Sequence, residues 1–187
     1  MISLNPQHLT IALAAGPGTQ TFGIFALDRQ NITIKNGTIR GFFTGIFLPN
    51  TGASQGHVVE DIRADQNTSV GISVDGSGNI VRNNQVVRTG GCTTPCGPNA
   101  DAAGIQVGGA GPRVLNNNVI TVTKAGTGVA WGILVTGAIG ALVVNNRITE
   151  ADRGIEYLGG STGKFRDNVT FDVTTPYTGG TNIGNNN

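Results

Sequence analysis

The sequence predicts an all-β solenoid, a coil of short parallel strands, and two recurring phrases carry that prediction. The first phrase, apolar-x-Asn-(Asn/Gly)-x-apolar, is clearest in Val114-Leu115-Asn116-Asn117-Asn118-Val119. The second phrase, Gly-Ile-x-(Leu/Val), alternates with the first. Self-similarity at intervals of roughly 20–50 residues is typical of solenoids, because each repeat stacks on the next. The first phrase, with its degenerate copies, begins at Ile34, Val59, Val81, Val114, Val143 and Phe165.

Each phrase is too short for a helix and alternates as a β-strand does. Ile105 and Val107 bracket Gln106, so the apolar side chains point to one side and the amide to the other. Such stretches, rich in Val, Ile and Thr, indicate strands. Parallel strands about 4.7–4.9 Å apart place equivalent residues above one another. The predicted core columns are Ile24, Ile46, Ile72, Ile105, Ile133 and Ile155, and Ile34, Val59, Val81, Val114, Val143 and Phe165.

The third residue of the first phrase predicts a tight corner. Asn and Asp tolerate the left-handed backbone conformation better than other non-glycine residues. Stacked amides can also hydrogen-bond along such a column, so we expect it to be structural rather than ligand-binding. Its members are Asn36, Asp61, Asn83, Asn116, Asn145 and Asp167.

Length variation falls on one side of the predicted coil. From the Gly-Ile phrase to the next first phrase the spacing is 9 to 13 residues. In the other direction it reaches 24 and 19 residues in the third and fourth coils, through insertions at 89–103 and 121–131. Insertions in a solenoid map to loops on one face, which is often the binding face.

Composition fits a single turn-rich domain over residues 1–187, with a loose tail at about 179–187. The chain has 30 Gly, only 12% charged residues and a net charge of +1. There is no basic stripe of the kind that nucleic-acid binders carry and no apolar run of roughly 18 residues for a membrane span. We therefore expect no nucleic-acid partner, no membrane partner and no cofactor. The first residues also lack a signal-peptide pattern, which a mature or trimmed chain would explain.

The two cysteines, Cys92 and Cys96, lie together in the first insertion. We expect a small disulfide loop, with two free thiols as the alternative. Neither His8 nor His57 is near enough in sequence to complete a metal site, so no metal is expected. Because disulfides form in oxidising compartments, the expected location is extracellular or on the cell surface.

A resemblance supports the fold. The stretch from Asn31 to Phe42, NITIKNGTIRGF, followed by Gly45-Ile46, resembles the opening of the right-handed parallel β-helix repeat proteins in the pectate-lyase-like superfamily. The later phrases fit the same pattern over roughly residues 9 to 170. The resemblance implies a right-handed parallel β-helix of about six to seven coils. The superfamily includes polysaccharide lyases, hydrolases, epimerases, tailspikes and adhesins, so the fold does not fix the function.

The sequence departs from that superfamily in two ways. Relatives carry more coils upstream and a cap over the N-terminal end, whereas here Leu9-Thr10-Ile11 follows almost at once. An uncapped end exposes strand edges and invites pairing with another chain. A fragment, a homo-oligomer and a minimal version all remain open. In addition, neither the calcium-binding acids of a pectate lyase nor the Asn-x-Asp and Asp-Asp motifs of a polygalacturonase are visible.

The insertions nevertheless point to a groove beside the Gly-Ile phrases. Aligning the coils makes Trp131 and Arg153 neighbours, and mixed aromatic and polar lining is usual for ligand sites. Each of these residues also has a structural alternative. Trp131 would pack the insertion loop onto the coil, Arg153 would form an ion pair with Asp152 or Glu156, and the aspartates would cap turns. For His57 a surface turn is favoured over a general base. The predicted groove residues are Asp75, Asp101, Gln106, Trp131, Arg153 and Glu156.

Two classes of function follow. In the first, the chain binds or processes a polysaccharide. Glycoside hydrolysis needs two carboxylates roughly 5 to 9.5 Å apart, for which Asp75 and Asp101 are the catalytic candidates. Gln106, Trp131, Arg153 and Glu156 would bind substrate, with Arg153 reading a uronic carboxylate. In the second class, the chain is a non-catalytic module of a larger surface or fibre protein. The sequence does not decide whether the chain is an enzyme.

Overall fold

The computed structural model describes residues 2–3, 9–12, 21–93 and 96–187, with side chains for the last two ranges. Over these residues the chain is an all-parallel β-solenoid of about six turns without helices, which confirms the predicted fold class. Four strands turn a corner and contribute to two faces, so they are longer than the phrases suggest. The expectation of an uncapped N-terminal end lies outside the described residues.

The described strands follow one another in a regular order around the coil. They are β1 (Ile2–Ser3), β2 (Leu9–Ala12), β3 (Phe22–Phe25), β4 (Thr33–Arg40), β5 (Thr44–Leu48), β6 (Val58–Asp65), β7 (Val70–Val74), β8 (Ile80–Arg82), β9 (Gln85–Gly90), β10 (Ala102–Ala110), β11 (Arg113–Leu115), β12 (Asn118–Thr123), β13 (Ala130–Ile139), β14 (Ala141–Val144), β15 (Arg147–Leu158), β16 (Gly163–Arg166), β17 (Val169–Thr178) and β18 (Thr181–Asn182).

The coil has three faces, each with an inward column of apolar residues. On the Gly-Ile face, Ile46, Ile72, Ile105, Ile133 and Ile155 stack in register and are buried, while Ile24 at the start is partly buried. On the Val-Asn face, all six predicted residues from Ile34 to Phe165 stack and are buried. The third face adds Ile39, Ala64, Val86, Val119 and Ile148. The predicted core is therefore confirmed, with one further column.

The corner between the Val-Asn face and the third face contains two polar columns. The predicted outer column, from Asn36 to Asp167, has a positive φ at all six positions, between 53° and 60°. One residue further on, a second column points inward, and its side chains hydrogen-bond from rung to rung at 3.0 Å. It consists of the buried residues Asn84, Asn117, Asn146 and Asn168.

A second left-handed corner separates the third face from the Gly-Ile face. Gln66, Arg88, Thr121, Glu150 and Asp172 have φ between 52° and 58° there. The sequence does not reveal this column, because Arg, Thr and Glu have no preference for that conformation. Thr121 Oγ1 donates to Glu150 Oε2 at 2.6 Å, so side chains on neighbouring rungs support the strained positions.

The C-terminal rungs end the core with aromatic rings and the chain's last residues. Phe165 lies 5.2 Å from the Tyr177 ring, centroid to centroid. Asn186 accepts hydrogen bonds from the backbone and side chain of Asn168, both at 3.0 Å, and so completes the inner asparagine column. The tail at 179–187 therefore forms part of a further coil that starts with β18.

Candidate functional site

The two insertions lie at the corner that leads into the Gly-Ile face, as the spacing predicts. They occupy residues 91–101 and 124–129, and a disulfide joins Cys92 and Cys96 in the first. Asp101 Oδ1 accepts a hydrogen bond from the Val129 backbone N–H at 2.8 Å. Asn99 Oδ1 accepts one from the Thr127 N–H at 2.9 Å. The two loops are thus tied together as a wall along one side of the face.

The outward side of the Gly-Ile face presents one column in strict register, which we call the outer column. Its side chains change from aromatic at the N-terminal end to polar in the middle and then to apolar and acidic. The register is Phe25, Phe47, Ser73, Gln106, Leu134 and Glu156.

Two shallow depressions lie over the outer column and share Gln106 and Thr136. The first, about 190 Å³, also contains Phe47, Ser73 and Asp75. The second, about 290 Å³, also contains Asp101 and Trp131. The two depressions are therefore adjacent on one face, and four of the six predicted groove residues, Asp75, Asp101, Gln106 and Trp131, line them, whereas Arg153 and Glu156 do not.

Trp131, Arg153 and Glu156 form a closed network at the far end. Trp131 and Arg153 are paired in register, as the alignment predicts. Trp131 Nε1 donates to Glu156 Oε2, and Arg153 forms an ion pair with Glu156 Oε1. Trp131 is only 8% exposed, packed on Ala103 and Leu134. The ring is thus largely enclosed and does not present the open face that a sugar-stacking role requires.

The two aspartates lie in different depressions. Asp75 Oδ1 accepts a hydrogen bond from the Gly76 N–H at 2.7 Å, and Asp101 fixes the insertion loop. One oxygen of each carboxylate is thus engaged by backbone, which is the turn and loop role considered as the alternative. Among the described residues, no hydrogen bond or ion pair involves the second carboxylate oxygen of either aspartate.

A partly exposed aromatic cluster lies at the N-terminal end of the outer column, away from the six residues predicted to form the groove. Phe22, Phe25 and Phe47 lie with ring centroids 4.9–5.7 Å apart, and Phe43 is 6.4 Å from Phe22. Phe25 is 52% exposed. The Gly-Ile phrases beginning at Gly23 and Gly45 place Phe25 and Phe47 outward, so the alignment itself points to this cluster.

His57 is buried, which corrects the expectation of a surface turn residue. Its Nδ1 accepts from the Ile32 backbone N–H at 3.2 Å, so Nε2 carries the proton and donates to Ser54 Oγ at 2.8 Å. Ser54 in turn donates to the Asp75 carbonyl at 2.9 Å. Burial lowers the pKa of His57. The Ser–His pair is thus a structural link between coils and is not arranged for nucleophilic chemistry.

Within the part of the chain that the structure describes, no group of three or more His, Cys, Asp or Glu is placed to hold a metal ion. Over the same residues, no helix is long and apolar enough to cross a membrane.

The stacked coils, the asparagine corner and the one-sided insertions define a β-helix protein. The sequence matches the family described as "Right handed beta helix region" over residues 17–171. The chain therefore belongs to the right-handed β-helix family. Neither a curated protein nor a solved structure matches it.

Proposed function

We propose that the chain binds an extended, predominantly neutral polysaccharide along the outer column of the Gly-Ile face. The observation that carries the proposal is the unbroken register of outward-facing side chains, first aromatic and then polar, on successive rungs of one face. Phe25 is exposed and Phe47 is partly exposed, whereas Ser73 is largely covered. A polysaccharide is a linear repeat, so a linear repeat of side chains can contact several sugar units at once.

The aromatic end would bind the apolar faces of sugar rings. Phe25 and Phe47 are paired in register, and Phe25 is more than half exposed. Burying one such ring removes a large apolar area from water. The sugar platform is thus assigned to this pair and not to Trp131, whose ring is enclosed.

The polar middle would read hydroxyl groups. Gln106 provides both a donor and an acceptor at the point where the two depressions meet. Thr136 lies beside it, and Ser73 is one rung below. Ligand sites of this type combine an apolar surface with a few placed polar groups.

The charges favour a neutral glycan over an acidic one. The guanidinium of Arg153 is already paired with Glu156, which leaves it little capacity to bind a uronic carboxylate. Over the residues the structure describes, Asp75 and Asp101 form no ion pair, so they would repel an acidic chain. Binding of a uronic carboxylate by Arg153 is therefore less well supported than binding of a neutral glycan.

Catalysis is a separable part of the proposal. If the chain cleaves glycans, Asp75 and Asp101 are the carboxylates that flank the junction at Gln106. Glu156 has both oxygens engaged and Arg153 is paired, so neither is as free to act on substrate.

A glycan panel tests this function. Neutral and acidic oligosaccharides of defined length are titrated into the protein by calorimetry, and products are assayed as new reducing ends and unsaturated ends. We expect neutral oligomers to bind, and Gln106→Ala to weaken them. Asp75→Asn and Asp101→Asn should abolish any turnover while binding persists. Absence of both binding and products across the panel would reject the proposal.

A second function, a non-catalytic assembly module, is favoured by the C-terminal edge. In the described part of the chain, strand β17 is paired with strand β15 and with no other strand, and on its other edge the Thr170 N–H donates to the Asn187 carbonyl. Strand β17 exposes Phe171 (73%) and Val169 (44%). Exposed apolar edge strands pair with other chains. Light scattering over a concentration range separates the two functions, because association would rise with concentration in an assembly module. A chain that stays monomeric would remove this alternative.

We also propose an oxidising location, outside the cell or at its surface. The Cys92–Cys96 disulfide supports it, because disulfides persist in such compartments. Titration of free thiols in protein isolated under non-reducing conditions tests the idea, and two free thiols would oppose it.

A further inference from the structure

A separate depression lies on a different face, the Val-Asn face. It has a volume of about 530 Å³, within the range of small-ligand sites. None of its lining residues is acidic or aromatic. We call it the basic depression, and its principal residues are Gly111, Arg113, Gly140, Leu142, Gly163 and Lys164.

Two positively charged side chains, Arg113 and Lys164, lie at the ends of the basic depression. Arg113, Leu142 and Lys164 are in register on three successive strands, so the two cations are two rungs, about 9–10 Å, apart along the axis. Both are exposed. Arg82 and Arg153, in contrast, are paired with Glu60 and Glu156. Across the described residues, neither Arg113 nor Lys164 has an ion pair.

Glycines keep the depression open between the cations. Gly111 and Gly140 have φ of 64° and 71°, a conformation that favours glycine. A Cβ added at either position would meet no atom within 4 Å, so the space above them is free for a ligand. Leu142, between the two cations, gives the depression an apolar floor.

We infer that the basic depression binds an anionic oligosaccharide that carries carboxylate or sulfate groups on separate sugar units. An extended ligand fits this spacing, because it can place one anionic group against each cation while it spans Leu142 on the rung between them. Leu142 contacts the apolar surface of the unit between the two anionic groups. Single-stranded nucleic acid fits poorly, because such sites add aromatic side chains that stack on the bases.

This site is independent of the outer column of the Gly-Ile face. The two sites differ in charge, in lining and in face, so each can fail without the other. Phe47→Ala should leave binding in the basic depression unchanged.

Calorimetric titration with size-defined oligouronates, sulfated oligosaccharides and a single-stranded DNA oligomer tests the inference. We expect one or both glycans to bind, and the two arms distinguish carboxylate from sulfate. Arg113→Gln and Lys164→Gln should each weaken binding about tenfold or more, because a charge-assisted hydrogen bond is lost. Gly140→Asn, which keeps the left-handed backbone accessible, should block the depression sterically.

Arg147→Gln is the matched control, since it removes an exposed arginine from the third face. It should leave binding unchanged. An equal loss in Arg147→Gln would indicate diffuse electrostatic attraction and overturn the site. Tighter binding of the DNA oligomer, or no binding of either glycan, would overturn the ligand class.

Discussion

The inward and outward columns of the Gly-Ile face belong to the same strands but follow different rules. Inward, isoleucine stands on six successive rungs from Ile24 to Ile155. Outward, the neighbouring position changes from Phe25 to Ser73, Gln106 and Glu156. Each inward side chain must pack on the equivalent side chains above and below it, whereas an outward side chain has no such constraint. The inner columns therefore determine the fold, and the outer ones hold the chemistry.

The sharpest test of this contrast is a pair of substitutions at adjacent residues. Ile105 is fully buried, so Ile105→Ala should lower the free energy of unfolding by about 2–5 kcal/mol through lost packing and a cavity. Gln106→Ala, one residue further and outward, should change it by less than about 0.5 kcal/mol. Chemical denaturation of both variants provides the measurement. Similar losses in the two variants would mean that the inward and outward assignments are wrong.

The asparagine corner repeats the contrast with polar residues. Asn117 is buried and accepts from the Asn84 backbone N–H at 2.9 Å while donating to the Val81 carbonyl at 3.0 Å. Asn117→Ala should cost about 1–3 kcal/mol, because buried polar groups lose their partners. Asn116→Gly keeps the left-handed conformation accessible and removes an exposed amide that bonds to Asn83 and Asn145 at the surface, so it should cost less than about 1 kcal/mol. The comparison would fail if the exposed substitution were the more damaging one.

Acid should destabilise the folded protein through the buried side chain of His57. Burial lowers its pKa in the folded state, so the unfolded chain takes up a proton first as pH falls below about 6.5. The stability is complete above that pH and declines as pH falls toward the folded-state pKa, at no more than about 1.4 kcal/mol per pH unit. His57→Gln should remove this contribution to the pH dependence of the free energy of unfolding. Chemical denaturation of both proteins at a series of pH values measures it. An identical pH dependence in the variant would show that His57 is not the group responsible.

The last prediction concerns binding at the outer column and is made at Phe47. Phe47→Ala should weaken a neutral oligosaccharide about three- to tenfold, because one ring of the aromatic cluster is lost. Phe171→Ala, which removes an exposed ring from the third face, should have no effect on binding. Calorimetry with one oligosaccharide of fixed length compares the two. Equal weakening by both would indicate nonspecific adsorption to exposed rings.

The sequence predicts the repeated parts of the molecule and loses accuracy where the repeat is broken. The Ile columns and the Asn36–Asp167 corner follow directly from register. The corner at Arg88, Thr121 and Glu150 does not, because those residue types do not signal a left-handed backbone. His57 looks like a loop residue in sequence, yet neighbouring coils enclose it.

The candidate site shows the same limit. Alignment of the coils correctly pairs Trp131 with Arg153, since register is a property of the repeat. It gives no information on how far Trp131 is exposed, because that depends on packing against Ala103 and Leu134. The sequence offers the ion pair of Arg153 with Glu156 only as one of two alternatives, beside Asp152. It does not reveal the hydrogen bond from Trp131 to Glu156, because that bond depends on side-chain conformation.

The most direct test of the central claim is an NMR titration of the protein with a neutral oligosaccharide. The account predicts that backbone amide shifts change along the outer column, at Phe47, Ser73 and Gln106, while amides near Arg113 and Lys164 stay in place. Shifts confined to any other face, or no shifts with any neutral glycan, would contradict it.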